Sequence, residues 1–257
     1  GGGCFLGSSS KVLVQNSVLS KNSAPSGGAV HIGEGSELNV TSCDIVGNVA
    51  TISGGGMLLD SAAQLTFQGT VKLTSNTAGH HGGALFLVDT PAWTTSSSSL
   101  SGPCEIVLTG NIATWGSAVF FNASDALRQQ ASLTNMSVSS NRALSGGTIF
   151  WVAQDNRIST ALDISSPTNT WGENTAAYGE QIATQAVQFG NTSDVVSIPS
   201  TPGMLPPFAF TILDYYGQKV KQNASIVTTD VIIGSVHCGS ELPSFANASG
   251  SQPVNSG

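Results

Sequence analysis

Charge is scarce in this sequence. Asp, Glu, Lys and Arg make up 9% of the 257 residues, against roughly 25% in an ordinary soluble domain. Eight residues are basic and the net charge is −7. That balance lacks the footprint of a nucleic-acid binder and speaks against an anionic membrane surface as partner. No apolar run reaches 18 residues, so no direct membrane insertion by a helix is expected. The four cysteines (Cys4, Cys43, Cys104 and Cys238) show no C-x-x-C spacing and no histidine at ligand separation. Neither zinc nor any other metal or cofactor is expected. A sustained 3.6-residue apolar rhythm is also missing, which excludes helical repeats. There is no initiator Met and no signal peptide, and the opening GGGCFL reads as the middle of a longer pattern.

What is present is hydroxyl and glycine: Gly, Ser and Thr fill 90 of the 257 positions. Within that background one phrase recurs, an Asn followed five or six residues later by a glycine-led apolar run. Asn22 precedes GGAVHI, Asn48 GGGMLL, Asn76 GGALFL, Asn111 GSAVFF, Asn141 GGTIFW and Asn174 GEQIAT, while Gly1 opens a seventh run. The starts lie 26, 27, 28, 34, 30 and 33 residues apart. A unit of that size made of short strands and turns cannot bury its own apolar face, but stacked units can. The spacing therefore predicts an all-β parallel β-helix of about six to seven coils over residues 1–190, stacked at about 4.8 Å.

Alignment at the glycines gives each column a role. The fourth position (Cys4, Val30, Met57, Leu85, Val119, Ile149, Ile182) and the sixth (Leu6, Ile32, Leu59, Leu87, Phe121, Trp151, Thr184) point inward in a period-2 strand. The fifth then points outward. It holds Phe5, His31, Leu58, Phe86, Phe120 and Phe150, an apolar face larger than a monomer usually shows. Phe5, Leu58, Phe86, Phe120 and Phe150 are accordingly a candidate interface, to be covered by this chain or by another subunit. The asparagine column predicts a structural amide ladder of Asn22, Asn48, Asn76, Asn111, Asn141 and Asn174 at stacked corners.

The short phrases IVGN, LTSN, LTGN and VSSN, paired with GGA-type strands, resemble the polymorphic outer membrane protein repeats of chlamydial surface autotransporters. Similar repeats occur in very large extracellular proteins of green algae and other protists. The resemblance covers about residues 1–190. It implies a right-handed β-helical surface stalk, adhesive or structural, with no catalytic residues to carry over. The chain departs from the bacterial pattern in placing Val, Leu, Ile or Trp where Phe usually precedes x-x-Asn. The resemblance implies partners that are copies of itself or other coat and filament proteins, on a cell surface such as a flagellar appendage or cell coat.

Six N-x-S/T sequons (Asn39, Asn122, Asn135, Asn191, Asn223 and Asn247) point to covalent glycans and an extracellular compartment. No ladder asparagine lies in a sequon. Thr94 to Ser99, between Pro91 and Pro103, reads as a protruding loop. Such a compartment permits disulfides, but Cys43 and Cys104 would sit two coils apart, at about 10 Å, too far for a direct bond.

After the repeats, Pro199, Pro202, Pro206 and Pro207 mark a linker over 191–207. In 208–257 the phrase LDYYGQKV resembles a strand–turn element of Ig-like modules. Too few residues follow for a sandwich of ~100, so a partial domain or capping segment is expected. Open β-helix ends are edges that need covers, which predicts a longer parent chain or a covering partner.

Two chemical alternatives remain. A polysaccharide lyase or glycosidase needs paired carboxylates. Glu34, Asp60 and Asp89 fall on one edge, where they read as solvated turn residues. Lys11, Lys21, Lys72, Arg128, Arg142 and Arg157, the basic residues of the repeats, do not align with that strip. The adjacent His80 and His81 complete no triad. A carbohydrate-binding or adhesin module would use Trp93, Trp115 and Trp171 as platforms, positions that equally suit corner packing. The expected function is a non-catalytic, glycosylated structural solenoid that self-associates laterally or end to end.

Overall fold

The computed structural model describes residues 1–89, 93–96, 104–122, 133–152, 162–189, 211–221, 227–230 and 251–254. The chain divides into two compact units, residues 1–220 and 221–257. The first is a parallel β-solenoid. Each winding visits four sheets in turn, as the second does with Val30–Ile32, Glu37–Thr41, Asp44–Val46 and Val49–Ser53. Among the described residues the sheet of glycine-led strands counts seven, from Cys4–Leu6 to Ile182–Thr184, and the other three sheets hold four, six and five. Pairing between windings is parallel among the described strands and in register in the glycine-led sheet, where Val30 lies on Met57, Met57 on Leu85 and Leu85 on Val119; the fourth sheet slips at Ala24/Ser26 and at Ala113/Trp115.

Two features of the sequence set this path. Apolar residues alternate along the strands, so Leu38, Val40, Leu65 and Phe67 are buried while Asn39 between them is exposed. The fourth and sixth columns of the glycine strands fill the middle; Ile32, Met57, Leu59, Leu85, Leu87, Phe121 and Trp151 are fully buried. Each fully buried Leu, Ile or Phe contributes about 1.5–3 kcal/mol. Left-handed residues turn the chain at the corners. The third winding turns at Gly54 (φ 68°), Ala62 (57°), Gly69 (62°) and Ser75 (54°). Gly55, beside the first of these, is required by space: a Cβ there would lie 2.3 Å from Gly83 O and 2.6 Å from the Thr77 carbonyl carbon.

Two expectations change here. Thr94–Ser96 is the outermost strand of the second sheet, paired in parallel with Gln64–Gln68, rather than loop; residues 97–103 lie outside the described residues. The solenoid unit runs through Val220, so the segment expected to begin at 208 divides: residues 211–220 belong to the solenoid. The linker expected over 191–207 lies outside the described residues. In the second unit Val227–Asp230 pairs antiparallel with Ser251–Val254.

Residues 211–220 close the last winding. Ile212–Leu213 pairs antiparallel with Gln188–Phe189, and the turn that follows folds onto Ile182–Thr184. Asp214 Oδ2 accepts from Thr184 N at 3.2 Å, and Gln218 Nε2 donates to Ile182 O at 2.9 Å. Trp151 Nε1 donates to the Tyr216 hydroxyl at 3.0 Å, with the Tyr215 ring 5.4 Å from the indole. At this end the protein's own DYYGQ turn covers the last winding, the capping role that was one of the two readings of the C-terminal segment.

Candidate functional site

The six repeat asparagines form one continuous spine. Asn22 donates from its main-chain N and from Nδ2 to Asn48 Oδ1, both at 3.0 Å. Asn48 treats Asn76 in the same way at 3.0 and 2.9 Å, Asn76 treats Asn111 at 2.9 and 3.1 Å, and Asn111 treats Asn141 at 2.9 and 3.0 Å. Asn141 closes onto Asn174 with two bonds of 3.0 Å. The second Nδ2 hydrogen goes backward, to the carbonyl three residues before the preceding asparagine: Leu19 from Asn48, Ile45 from Asn76, Leu73 from Asn111 and Leu108 from Asn141. Both hydrogens and both lone pairs of each inner amide are therefore used, although Asn48, Asn76, Asn111 and Asn141 are almost wholly buried. A buried amide is tolerated only when so satisfied.

This geometry explains the phrase around each asparagine. The apolar residue three positions earlier points into the core and its carbonyl receives the amide. The residue just before the asparagine is left-handed: Lys21, Gly47, Ser75, Gly110 and Ser140 have φ of 56°, 64°, 54°, 67° and 56°. Two residues after it stands a small side chain, Ala50, Ala78, Ala113 and Ala143, all buried where the fourth sheet meets the glycine corners. The phrase N-x-A is thus a sequence mark of the ladder, alongside the asparagine itself.

Of the two covers expected for the outward fifth column, this chain supplies most. Phe5 is 62% exposed and Phe86 half-buried, but Leu58, Phe120 and Phe150 retain 6%, 5% and 3% of their surface. Phe120 and Phe150 pack with Tyr178 and Ala183 in a second apolar cluster that includes Phe86, Trp115, Val152 and Val220. The roof comes from residues beside the glycine corners. The His81 ring stacks 5.7 Å from Phe86 and 4.4 Å from Phe120, and Trp115 meets Phe150 at 5.1 Å. The column is thus largely a second core outside the first, not an open interface. Burial, and then neighbouring His80, hold the His81 imidazole below its ordinary pKa. Ser53 Oγ lies 3.2 Å from its Nδ1.

The acidic strip does not converge. Asp60 Oδ2 lies 2.7 Å from His31 Nε2, whose ring meets Phe5 edge-on at 5.1 Å; Glu34 is exposed and Asp89 occupies a left-handed corner. The sequence reading missed His31 as the partner of Asp60; they sit in adjacent windings. Among the described residues no group of three His, Cys, Asp or Glu side chains is placed to hold a metal ion. Trp93 is 3% exposed in the main core, 6.0 Å from Phe67, and Trp171 packs against that core. Trp93 is thus buried, while Trp115 and Trp171 are half-buried against the two cores. Cys4, Cys43 and Cys104 are free thiols. Cys43 donates to Thr41 O, and burial pushes the Cys104 thiol up. Cys238 lies outside the described residues.

Of the sequons, Asn39 is exposed on the second sheet between Leu13 and Thr66. Asn122 and Asn135 are half-buried, Asn135 with φ 57°. Asn191, Asn223 and Asn247 lie outside the described residues. No helix among the described residues is long and apolar enough to cross a membrane. Comparison with protein-family models, with curated proteins and with solved structures yields no match.

Proposed function

We propose that this chain is a non-catalytic extracellular structural protein, a glycosylated β-solenoid that serves as a stalk or filament subunit in a cell-surface assembly. The observation that carries the reading is the asparagine spine. A buried, fully bonded amide column through six windings gives rigidity along the axis, and it engages the buried amides in architecture. The described sequons stand apart from it: Asn39 lies on the outside of the second sheet, where a glycan meets no neighbour's core. The resemblance to surface-stalk repeats of chlamydiae, algae and protists supports the same compartment, with a flagellar appendage or cell coat as the setting and its coat proteins or further copies as partners. An adhesin using aromatic platforms is less favoured, because Trp93 is buried in the main core and Trp115 and Trp171 pack against the two cores.

Secretion of the chain from a eukaryotic host, followed by glycopeptide mass spectrometry, tests the reading. Asn39 is expected to carry a glycan that Asn39→Gln removes, with the six ladder asparagines unmodified. A secreted, folded protein bare at Asn39, Asn122 and Asn135 overturns it.

A further inference from the structure

The exposed large apolar side chains are gathered on one side of the solenoid. Beyond the first winding, those among the described residues are Val49, Ile52, Ile112 and Leu144, which retain 42%, 49%, 36% and 54% of their surface. All four lie on the fourth sheet, in the strands Val49–Ser53, Ile112–Trp115 and Arg142–Gly146. Single exposed hydrophobics are ordinary, whereas several on one face mark a contact surface. The same strands bring Thr51 and Thr114 to the outside, so the face offers methyl groups and hydroxyls.

Charge is almost absent from it. Arg142 is the one charged residue in the described strands of the fourth sheet, whereas the second and third sheets carry Lys11, Glu37, Asp44, Lys72 and Glu105. The corner bordering the fourth sheet is charged at two levels only. The residues just before the ladder asparagines are Lys21, Gly47, Ser75, Gly110, Ser140 and Glu173. A cation thus stands beside the first level of the sheet and an anion beside the sixth, both exposed. Among the described residues neither enters an ion pair.

We propose that the fourth sheet is the lateral contact of this solenoid, and that it docks on the fourth sheet of a second copy with the winding order reversed. A two-fold axis along the strands sets the first level of one copy against the sixth of the other, and the second against the fifth. Lys21 then meets Glu173 of the second copy. Val49, Thr51 and Ile52 lie over Arg142 and Leu144 of the second copy, the Arg142 stem covering apolar surface with its charge at the rim. Each contact occurs twice, as in any isologous pair. A two-fold axis along the solenoid would oppose equal levels instead, Lys21 level with Lys21 and Glu173 with Glu173. The face is small. Six levels at about 4.8 Å, four or five residues wide at about 3.3 Å each, give roughly 800–900 Å² over both copies. A stable specific complex buries about 1,200–2,000 Å², so the pair is a weak one that forms when copies are crowded together. This inference rests on the reading of a self-associating stalk and deepens it. Its test uses unglycosylated full-length chain, so it fails or succeeds apart from the glycan experiment.

Sedimentation velocity at low ionic strength, across a hundredfold range of concentration, should show the mass of the parent chain rising toward two copies and no further. Leu144→Asp sets an unpaired charge against Thr51 and Ile52 of the second copy and should weaken association at least about tenfold. Lys21→Glu opposes like charges at two places and should weaken it about threefold or more. Adding Glu173→Lys to Lys21→Glu should return association to the parent level. If Leu144→Asp loses its β circular-dichroism signature, Leu144→Ser, which shortens the same side chain without a charge, carries the comparison. A parent chain that stays monomeric throughout assigns the face to a partner of another kind and overturns the proposal. Growth past two copies, association indifferent to the Leu144 variants, or a double charge reversal no tighter than Lys21→Glu alone overturns it as well.

Discussion

At the scale of single residues the solenoid is a problem of corners. Each winding turns at left-handed positions, a conformation that costs an L-residue about 1–2 kcal/mol, yet glycine holds only some of them. Before the ladder asparagines the chain places Gly47 and Gly110 but also Lys21, Ser75 and Ser140, all with φ between 54° and 67°. Ser75→Gly relieves that strain and loses back roughly 0.5–1 kcal/mol of chain entropy. It should raise stability by about 0.5–1 kcal/mol, read as a higher urea midpoint at unchanged slope. The corner opening each glycine-led strand was legible, because glycine marks it in nearly every copy. The others were not, because Ser, Asn, Ala and Lys occupy them as the surrounding windings dictate, and nothing local announces a positive φ at Ala62 or Lys21.

Among elements, the amide spine does what the sheets alone cannot: it ties the third sheet to the fourth at every level. Asn111 bonds to Asn76, Asn141 and the carbonyl of Leu73. Asn111→Asp turns its two donor hydrogens into acceptors facing acceptors at a site with no exposure. Each buried group so stranded costs about 1–3 kcal/mol, more when charged, so a loss of at least about 3 kcal/mol is expected by thermal or chemical unfolding. Asn39→Asp, on the exposed face of a neighbouring sheet, should change stability by no more than about 0.5 kcal/mol. The spine was readable because identity in every copy is what a ladder requires. The fate of the outer aromatics was not. Alternation does turn Phe86, Phe120 and Phe150 outward, but their cover comes from His81, Trp115 and Tyr178, on separate strands or corners. No period in the sequence reports that folding-over. The turn at Asp214 was likewise read as the start of another module, since its partners Trp151 and Thr184 lie 65 residues before Tyr216 and 30 before Asp214.

For the molecule as a whole, the second core makes stability sensitive to acid. The His81 pKa is lowered in the fold by burial and by His80. The unfolded chain therefore takes up a proton first as pH falls through the ordinary histidine value of about 6.5, and the native state loses ground from there downward. Thermal midpoints measured between pH 8 and pH 5.5 should decline for the parent chain and decline less for His81→Phe, which keeps a ring against Phe86 and Phe120. Equal slopes for the two would assign the acid sensitivity to other groups.

Successive copies of the repeat differ by as many as eight residues in length, from 26 to 34, yet the strands they contribute stay in register throughout the seven-stranded sheet. The height of a winding is set by one inter-strand step of about 4.8 Å, whatever the length of its copy. The unit therefore behaves as a graduated ruler. Its axial extent counts repeats rather than amino acids, and evolution can lengthen or decorate any one graduation without moving the marks on either side.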